Sequence, residues 1–267
     1  MPHLIHRPST AVTNLSRRDL LGFAAKGAAT VIVSQTLLGC GTIASANSAT
    51  VVSDTVTPGS QSSGCVLTAA LTEGPFFVDE KLNRSDIRSD PASGVVSAGI
   101  PLALTFNVSR VASNACTPLT GAYIDVWHAD ASGTYSDVAG MGNGGAGAGH
   151  KFLRGYQVTD AAGVAQFTTI YPGWYNGRAV HIHFKLRMYA GATRTYEFTS
   201  QFFMPEPVTT IVHAQAPYAS KGTRTVFNST DGIYNSLTTA QKSALTLEAA
   251  ATSAGYAGTI NLDVSVG

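Results

Sequence analysis

Short runs rich in β-branched and aromatic residues recur through the second two-thirds of this chain, and no long amphipathic helix interrupts them. They cover Leu102–Val108, Ala122–His128, Gly155–Thr159, Val164–Ile170, Ala179–Met188, Thr195–Phe203 and Ile260–Val266, with Gly, Pro, Asn and Asp in the gaps. That spacing predicts an all-β fold: a β-sandwich core with long loops and at most short helices. One helical start is expected at Thr238-Thr239-Ala240-Gln241, where a capping box would open a single turn before Leu245 and Leu247 alternate as in a strand. With 267 residues, 44% of them apolar, the chain can bury one sizeable core but is short for two full domains.

The first 64 residues lack the pattern. Ser16-Arg17-Arg18-Asp19-Leu20-Leu21 precedes a mildly apolar run to Leu38 and resembles a twin-arginine export signal, an address rather than an anchor. The alternative is an ordinary amphipathic N-terminal helix. Leu37-Leu38-Gly39-Cys40 resembles a lipoprotein processing box, which would make Cys40 a lipid anchor, while Ala44-Ser45-Ala46 resembles a plain cleavage site. From Ala44 to Gly64 the Ser, Thr, Ala and Gly tract buries too little to offset its own ordering entropy. The expected organisation is therefore an export signal over 1–40, a tether over 41–64 and one folded domain over 65–267, located outside the cytoplasm.

Beyond Cys40 the cysteines number two, Cys65 and Cys116, an even set expected to pair in an oxidising compartment rather than remain as buried thiols. Closing that loop stabilises a fold by about 4 kcal/mol in the chain-entropy treatment. Charged residues make up only 12% and the net charge is +1, so no field exists to gather nucleic-acid phosphates, and nucleic acid is not an expected partner.

In Ala179-Val180-His181-Ile182-His183-Phe184 the strand period of two puts both imidazoles on one face and Val180, Ile182 and Phe184 on the other. Two adjacent imidazoles suit a transition metal, although such a pair alone is more often a hydrogen-bonded surface feature. The preceding loop, Thr169 to Arg178, carries Tyr171 and Tyr175, and either could reach the same metal. A phenolate is a hard anionic donor, and a mixed nitrogen and oxygen set favours iron(III) over zinc.

Four motifs in order carry a resemblance: Thr72-Glu73-Gly74-Pro75-Phe76-Phe77; Asp125-Val126-Trp127-His128-Ala129-Asp130 with Gly133-Thr134-Tyr135; Phe152-Leu153-Arg154-Gly155; and Pro172-Gly173-Trp174-Tyr175 through His183. Together they resemble the intradiol ring-cleavage dioxygenases, the protocatechuate 3,4-dioxygenase branch above all. The resemblance implies one iron(III) per chain, with Tyr135 as a displaceable ligand, Tyr175 as a ligand that stays bound, and His181 and His183 completing the set. It further implies that Arg178 stabilises negative charge on the substrate ring and that Gln201 lies near the site. The implied reaction joins a catechol-type compound and dioxygen, opening the ring between its two oxygen-bearing carbons to a muconate-type dicarboxylic acid.

Other residues read more plainly. Trp127 and Trp174 are expected as wall or core aromatics, His128 as structural or as a support just behind the site, and Pro75 and Phe76 as pocket or packing residues; His150 and His213 have no partner visible in sequence. The Gly140–Gly149 stretch reads as a permissive loop. Between Tyr175 and His181 the chain is shorter than in protocatechuate enzymes, so their substrate contacts do not carry over. There is also no room for the helical N-terminal dimerisation domain of catechol and hydroxyquinol dioxygenases. The competing reading is a non-catalytic β-sandwich module binding an aromatic or carbohydrate ligand; a copper site on the histidine pair lacks a nearby Cys or Met.

Overall fold

A computed structural model of the chain describes residues 65–113, 115–139 and 146–266. The expected export signal, the tether, Cys40 and most of the glycine-rich loop lie outside the described residues. Among the described residues nine strands form the architecture: β1 (Pro101–Ala112), β2 (Ala115–Pro118), β3 (Tyr123–Trp127), β4 (Arg154–Val158), β5 (Val164–Ile170), β6 (His181–Ala190), β7 (Thr193–Phe203), β8 (Glu248–Ala251) and β9 (Tyr256–Val264). Three short helices, α1 (Glu206–His213), α2 (Gly232–Asn235) and α3 (Thr239–Ala244), fall between β7 and β8.

The strands make two sheets. One runs β2-β1-β9-β8, with β5 also pairing β1; the other runs β4-β3-β6-β7. β9 lies parallel to β1 over Leu102–Arg110, whereas β5 and β2 pair antiparallel with successive halves of β1. The fold is the expected β-sandwich. Alternation explains the packing: Leu102, Leu104, Phe106 and Val108 of β1 and Ile182, Phe184 and Leu186 of β6 are all buried in one apolar cluster. Phe106 bridges the sheets, meeting Phe184 and Phe202 edge-on at centroid distances of 5.8 and 5.9 Å.

Two details depart from the sequence expectation. α3 opens at Thr238 with the expected capping box to Gln241, but Leu245 and Leu247 precede β8 rather than forming a strand of their own. They flank a bridge in which the Phe203 amide donates to Leu245 and the Leu247 amide to Phe203. β2 and β8 were not legible because they are short, largely exposed edge segments with no apolar alternation. Cys65 and Cys116 form a disulfide, with Cα atoms 5.9 Å apart, that ties the start of the described domain to β2.

The other face of the β4-β3-β6-β7 sheet positions the candidate site. His181, His183, Lys185 and Arg187 alternate along β6 on the side opposite the core, and all four are buried. The segment 72–81 crosses above them. Glu73 pairs with Lys185, Asp79 pairs with Arg187, and Lys185 Nζ stands 3.9 Å over the Phe77 ring. A row of charged side chains is thus buried because each finds a partner from this strap or from β3, where Asp125 also accepts from Arg187.

Candidate metal centre

Register brings the histidines to their neighbours. His183 lies opposite Trp127 of β3 and Gln201 of β7, and His181 opposite Phe203. The Trp127 indole stacks on the His183 ring at 5.0 Å and 7°, so the expected wall aromatic is in direct contact with the site. His181 and His183 approach through Nε2 atoms 3.0 Å apart, and His181 Nδ1 donates to the Ala179 carbonyl at 2.6 Å. With that proton on Nδ1, the His181 Nε2 lone pair faces the site.

The tyrosines resolve by partner. Tyr175 Oη is 3.2 Å from His181 Nε2, whereas Tyr171 is buried in the apolar core with its hydroxyl 2.8 Å from Thr209 Oγ1. Tyr171 therefore faces away from the histidine pair. Tyr135 is buried beside Tyr175, their rings meeting edge-on at 5.6 Å. Phe76 of the strap stacks on Tyr135 at 4.4 Å and meets Tyr175 edge-on at 5.8 Å. Gly74, at φ +70°, lies against His183; a Cβ there would sit 3.4 Å from its Cε1.

Local turns carry the two tyrosines in. Asp130 Oδ1 accepts from the Ser132 and Thr134 amides, shaping the turn before Tyr135. Arg154 is buried and donates from Nε and Nη2 to the Ser136 carbonyl, and from Nε to its hydroxyl, pinning the residue beside Tyr135. The Gly173 amide donates to Asp130 O, joining the two tyrosine loops; a Cβ at Gly173 would fall 2.3 Å from that oxygen. This contact explains the glycine.

Arg178 sits beside the donors. Its Nε donates to Asp231 Oδ2 at 2.8 Å and its Nη2 to Gln201 Oε1 at 2.5 Å, and Gln201 Nε2 reaches the Thr72 carbonyl at 3.4 Å. The guanidinium charge also acts on Tyr175, opposing the upward shift that burial gives its phenol. Asp231 was not singled out by sequence reading. An Asp-Gly step before a short helix signals an N-cap, but nothing local shows that the carboxylate reaches Arg178 53 residues away. The remaining described histidines have structural partners: His128 contacts Ala129 O and Thr169 Oγ1, His150 pairs with Asp90, and His213 Nε2 donates to Pro172 O.

Among the described residues no three His, Cys, Asp or Glu side chains gather in a way that could hold a metal. The further protein donor beside the histidine pair is a tyrosine oxygen, Tyr175 Oη, 3.2 Å from His181 Nε2. The donors present fit such a group: two neutral imidazoles with Nε2 atoms facing each other, and two phenol oxygens beside them. His183 Nδ1 is buried without a hydrogen-bond partner among the described residues, so a single proton shared between the two rings leaves this cluster unsatisfied. Two nitrogens with two hard oxygens match iron(III).

Burial dominates the electrostatics. Desolvation, then the Arg178 charge, holds His181 down to about 3; desolvation, then His181 and Arg178, holds His183 well below the ordinary histidine value; desolvation also lowers His128 to about 4. Burial raises Tyr135 well above the usual phenol range, with Tyr175 adding to the shift, and raises Tyr175 as well. For the metal-free protein the unfolded chain takes up protons on these histidines below about pH 6.5 while the folded chain does not, so stability falls as pH drops from there. Each ring removes up to about 1.4 kcal/mol per pH unit. Asp125, raised to about 6 by burial, acts in the opposite sense below that pH and offsets part of the loss. Urea midpoints measured from pH 7 to pH 4.5 should therefore decline; a flat profile would mean that the rings are protonated in the folded state.

A dioxygenase family model matches residues 72–207, a segment that contains both tyrosines, both histidines, Arg178 and Gln201. The chain belongs to the intradiol ring-cleavage dioxygenase family. Among solved structures, the chain resembles an intradiol ring-cleavage dioxygenase from Tetranychus urticae at 28% identity and a TM-score of 0.63, over 75% of this chain and 95% of that one. It also resembles the dioxygenase domain of a dioxygenase and carbohydrate-binding protein fusion from Streptomyces sp. SirexAA-E, at 26% identity and a TM-score of 0.51, over 76% of this chain and all of that domain. No curated protein sequence matches. Intradiol dioxygenases typically bind iron(III), in keeping with the donor chemistry of the cluster.

Proposed function

We propose that this intradiol dioxygenase family member is an active, iron(III)-dependent enzyme that takes a catechol-type aromatic and dioxygen to a muconate-type dicarboxylic acid. The observation that carries the reading is the meeting of Tyr175 Oη, His181 Nε2 and His183 Nε2 within 3.2 Å steps, with the Tyr135 ring edge-on to Tyr175 at 5.6 Å. Iron(III) held by Tyr135, Tyr175, His181 and His183 would supply Lewis acidity that activates a bound catecholate ring toward dioxygen. Both atoms of dioxygen end in the two carboxyl groups of the product, so no external reductant is consumed.

The protein's own groups have separable tasks. Tyr135, once displaced as a phenolate, would take a proton from an incoming catechol, and its buried setting favours the resulting neutral phenol. Arg178, held by Asp231 and Gln201, presents fixed positive charge to a ring that becomes anionic, an effect commonly worth a few kcal/mol. Phe76 and Trp127 pack on Tyr135 and His183 and exclude water from the donors.

The same reading makes residues 1–40 an export signal, 41–64 a tether and 65–267 the catalytic domain; the Cys65–Cys116 bridge suits an oxidising compartment. The test is the visible spectrum of the purified, iron-loaded protein, where phenolate-to-iron charge transfer should give strong colour. Labelled dioxygen should then appear in both carboxyl groups of a ring-opened diacid. A colourless iron-replete protein would favour a non-catalytic binding module, and cleavage beside the two oxygens rather than between them would overturn the intradiol assignment.

A further inference from the structure

Asp231 is a fully buried carboxylate whose hydrogen bonds exceed what its place in the fold needs. It caps α2, and there Oδ1 alone accepts from the Ile233 and Tyr234 amides, each at 2.9 Å. A neutral serine or threonine hydroxyl does the same work at a helix start. The second oxygen, Oδ2, is turned the other way and accepts from Arg178 Nε and from the Ala179 amide, each at 2.8 Å. Burying a charge merely to cap a four-residue helix would cost stability without return.

We propose that Asp231 is the positioning residue of the site: its Oδ2 fixes Arg178 in the orientation that serves the ring and ties that orientation to the start of the histidine strand. This rests on the dioxygenase reading above. Arg178 is 18% exposed at its side chain, and an unclamped arginine there would turn its strongly polar head to water. Asp231 at Nε and Gln201 at Nη2 hold one edge of the planar guanidinium at two points, which fixes its plane and leaves Nη1 outside the clamp. The Ala179 amide shares the same oxygen, two residues before His181, so the arginine and the first histidine are referred to one buried atom. Preorganised charge of this kind loses its effect when the group must be reoriented during the reaction.

The discriminating variant is Asp231→Ser, which keeps a cap acceptor and removes Oδ2; Asp231→Asn, which keeps the size and removes the charge, is its companion. With catechol as the probe substrate, kcat per bound iron should fall at least about tenfold, the low end for losing a group that orients a functional one, while KM stays within about threefold. The charge-transfer band should shift because the Arg178 charge acts on the Tyr175 oxygen. In an Arg178→Ala background Asp231→Asn, which keeps an oxygen for the Ala179 amide, should cost nothing further, since Asp231 acts on the ring through the arginine. Unchanged kcat and band, or losses that add to those of Arg178→Ala, would overturn the proposal. Should neither variant fold, nuclear magnetic resonance of the iron-free wild type decides: a slowly exchanging Arg178 Nε–H supports the clamp, and a freely exchanging one refutes it. A wild type without colour or turnover sinks the dioxygenase reading instead, whereas an active, coloured wild type with indifferent variants sinks only this inference.

Discussion

Changing Tyr175 to Phe should lower turnover of catechol by more than about a hundredfold, beyond the upper end for losing a group that only supports a ligand, and should shift or bleach the visible band. The reason is geometric: Tyr175 Oη points at His181 Nε2 at 3.2 Å, and phenylalanine keeps the ring while deleting the only atom able to donate. Tyr171→Phe is the matched control from the same loop. Its hydroxyl meets Thr209 Oγ1 in the core, so that change should cost about 1 kcal/mol of stability and leave spectrum and turnover as they were. Equal losses in both variants would mean that the loop, rather than the Tyr175 oxygen, is what matters. An indifferent Tyr175→Phe would remove it from the ligand set.

The second large effect is expected away from the donors. Arg187→Met should destabilise the domain by about 3–5 kcal/mol, the range for stranding one member of a buried ion pair. Arg187 holds Asp125 at 2.5 Å and Asp79 at 3.0 Å, and burial already raises Asp125 to about 6 with that partner in place. Without Arg187 the Asp125 carboxyl rises further, so the folded state binds its proton more tightly than the unfolded chain does. The deficit should therefore grow as pH rises and be smaller at pH 5.5 than at pH 8. Denaturant titrations at the two pH values measure it. Adding Asp125→Leu should recover most of the loss, because no charge is then left buried. A deficit under about 1 kcal/mol at both pH values would show that the pair is solvated like a surface one. Iron uptake by Arg187→Met is also expected to weaken, since Asp79 anchors the strap whose Gly74 and Phe76 lie against His183 and Tyr135.

The strands that proved legible are those with a two-sided environment. Val164–Ile170 matches β5 to the residue, and the runs containing the histidines and Gln201 match β6 and β7 within two residues at each end, because core and site each impose a period of two. β2 and β8 have mostly solvent on both faces and carried no such period. The helix α1 was also not foreseen. Its eight residues begin at Glu206-Pro207 and include five β-branched positions, so local composition favoured neither helix nor strand; Thr209 and Val212 are the two that the core buries.

The candidate site divides in the same way. Chain order alone determined that His181 and His183 share a strand face, and the ordered motifs placed Tyr135, Tyr175 and Arg178 in a recognisable family pattern, because backbone period and motif spacing are local properties. Tertiary structure decided what those residues meet. It turned Tyr175 toward His181 and Tyr171 toward Thr209, two tyrosines four residues apart that sequence left as rivals, because packing rather than spacing sets which way a loop side chain points. It also brought Asp231 to Arg178, Arg154 to Ser136 and the 72–81 strap across β6. Each of those contacts joins segments far apart in the chain, and the reason for each is a buried charge or carbonyl that had to find a partner once the two sheets had closed.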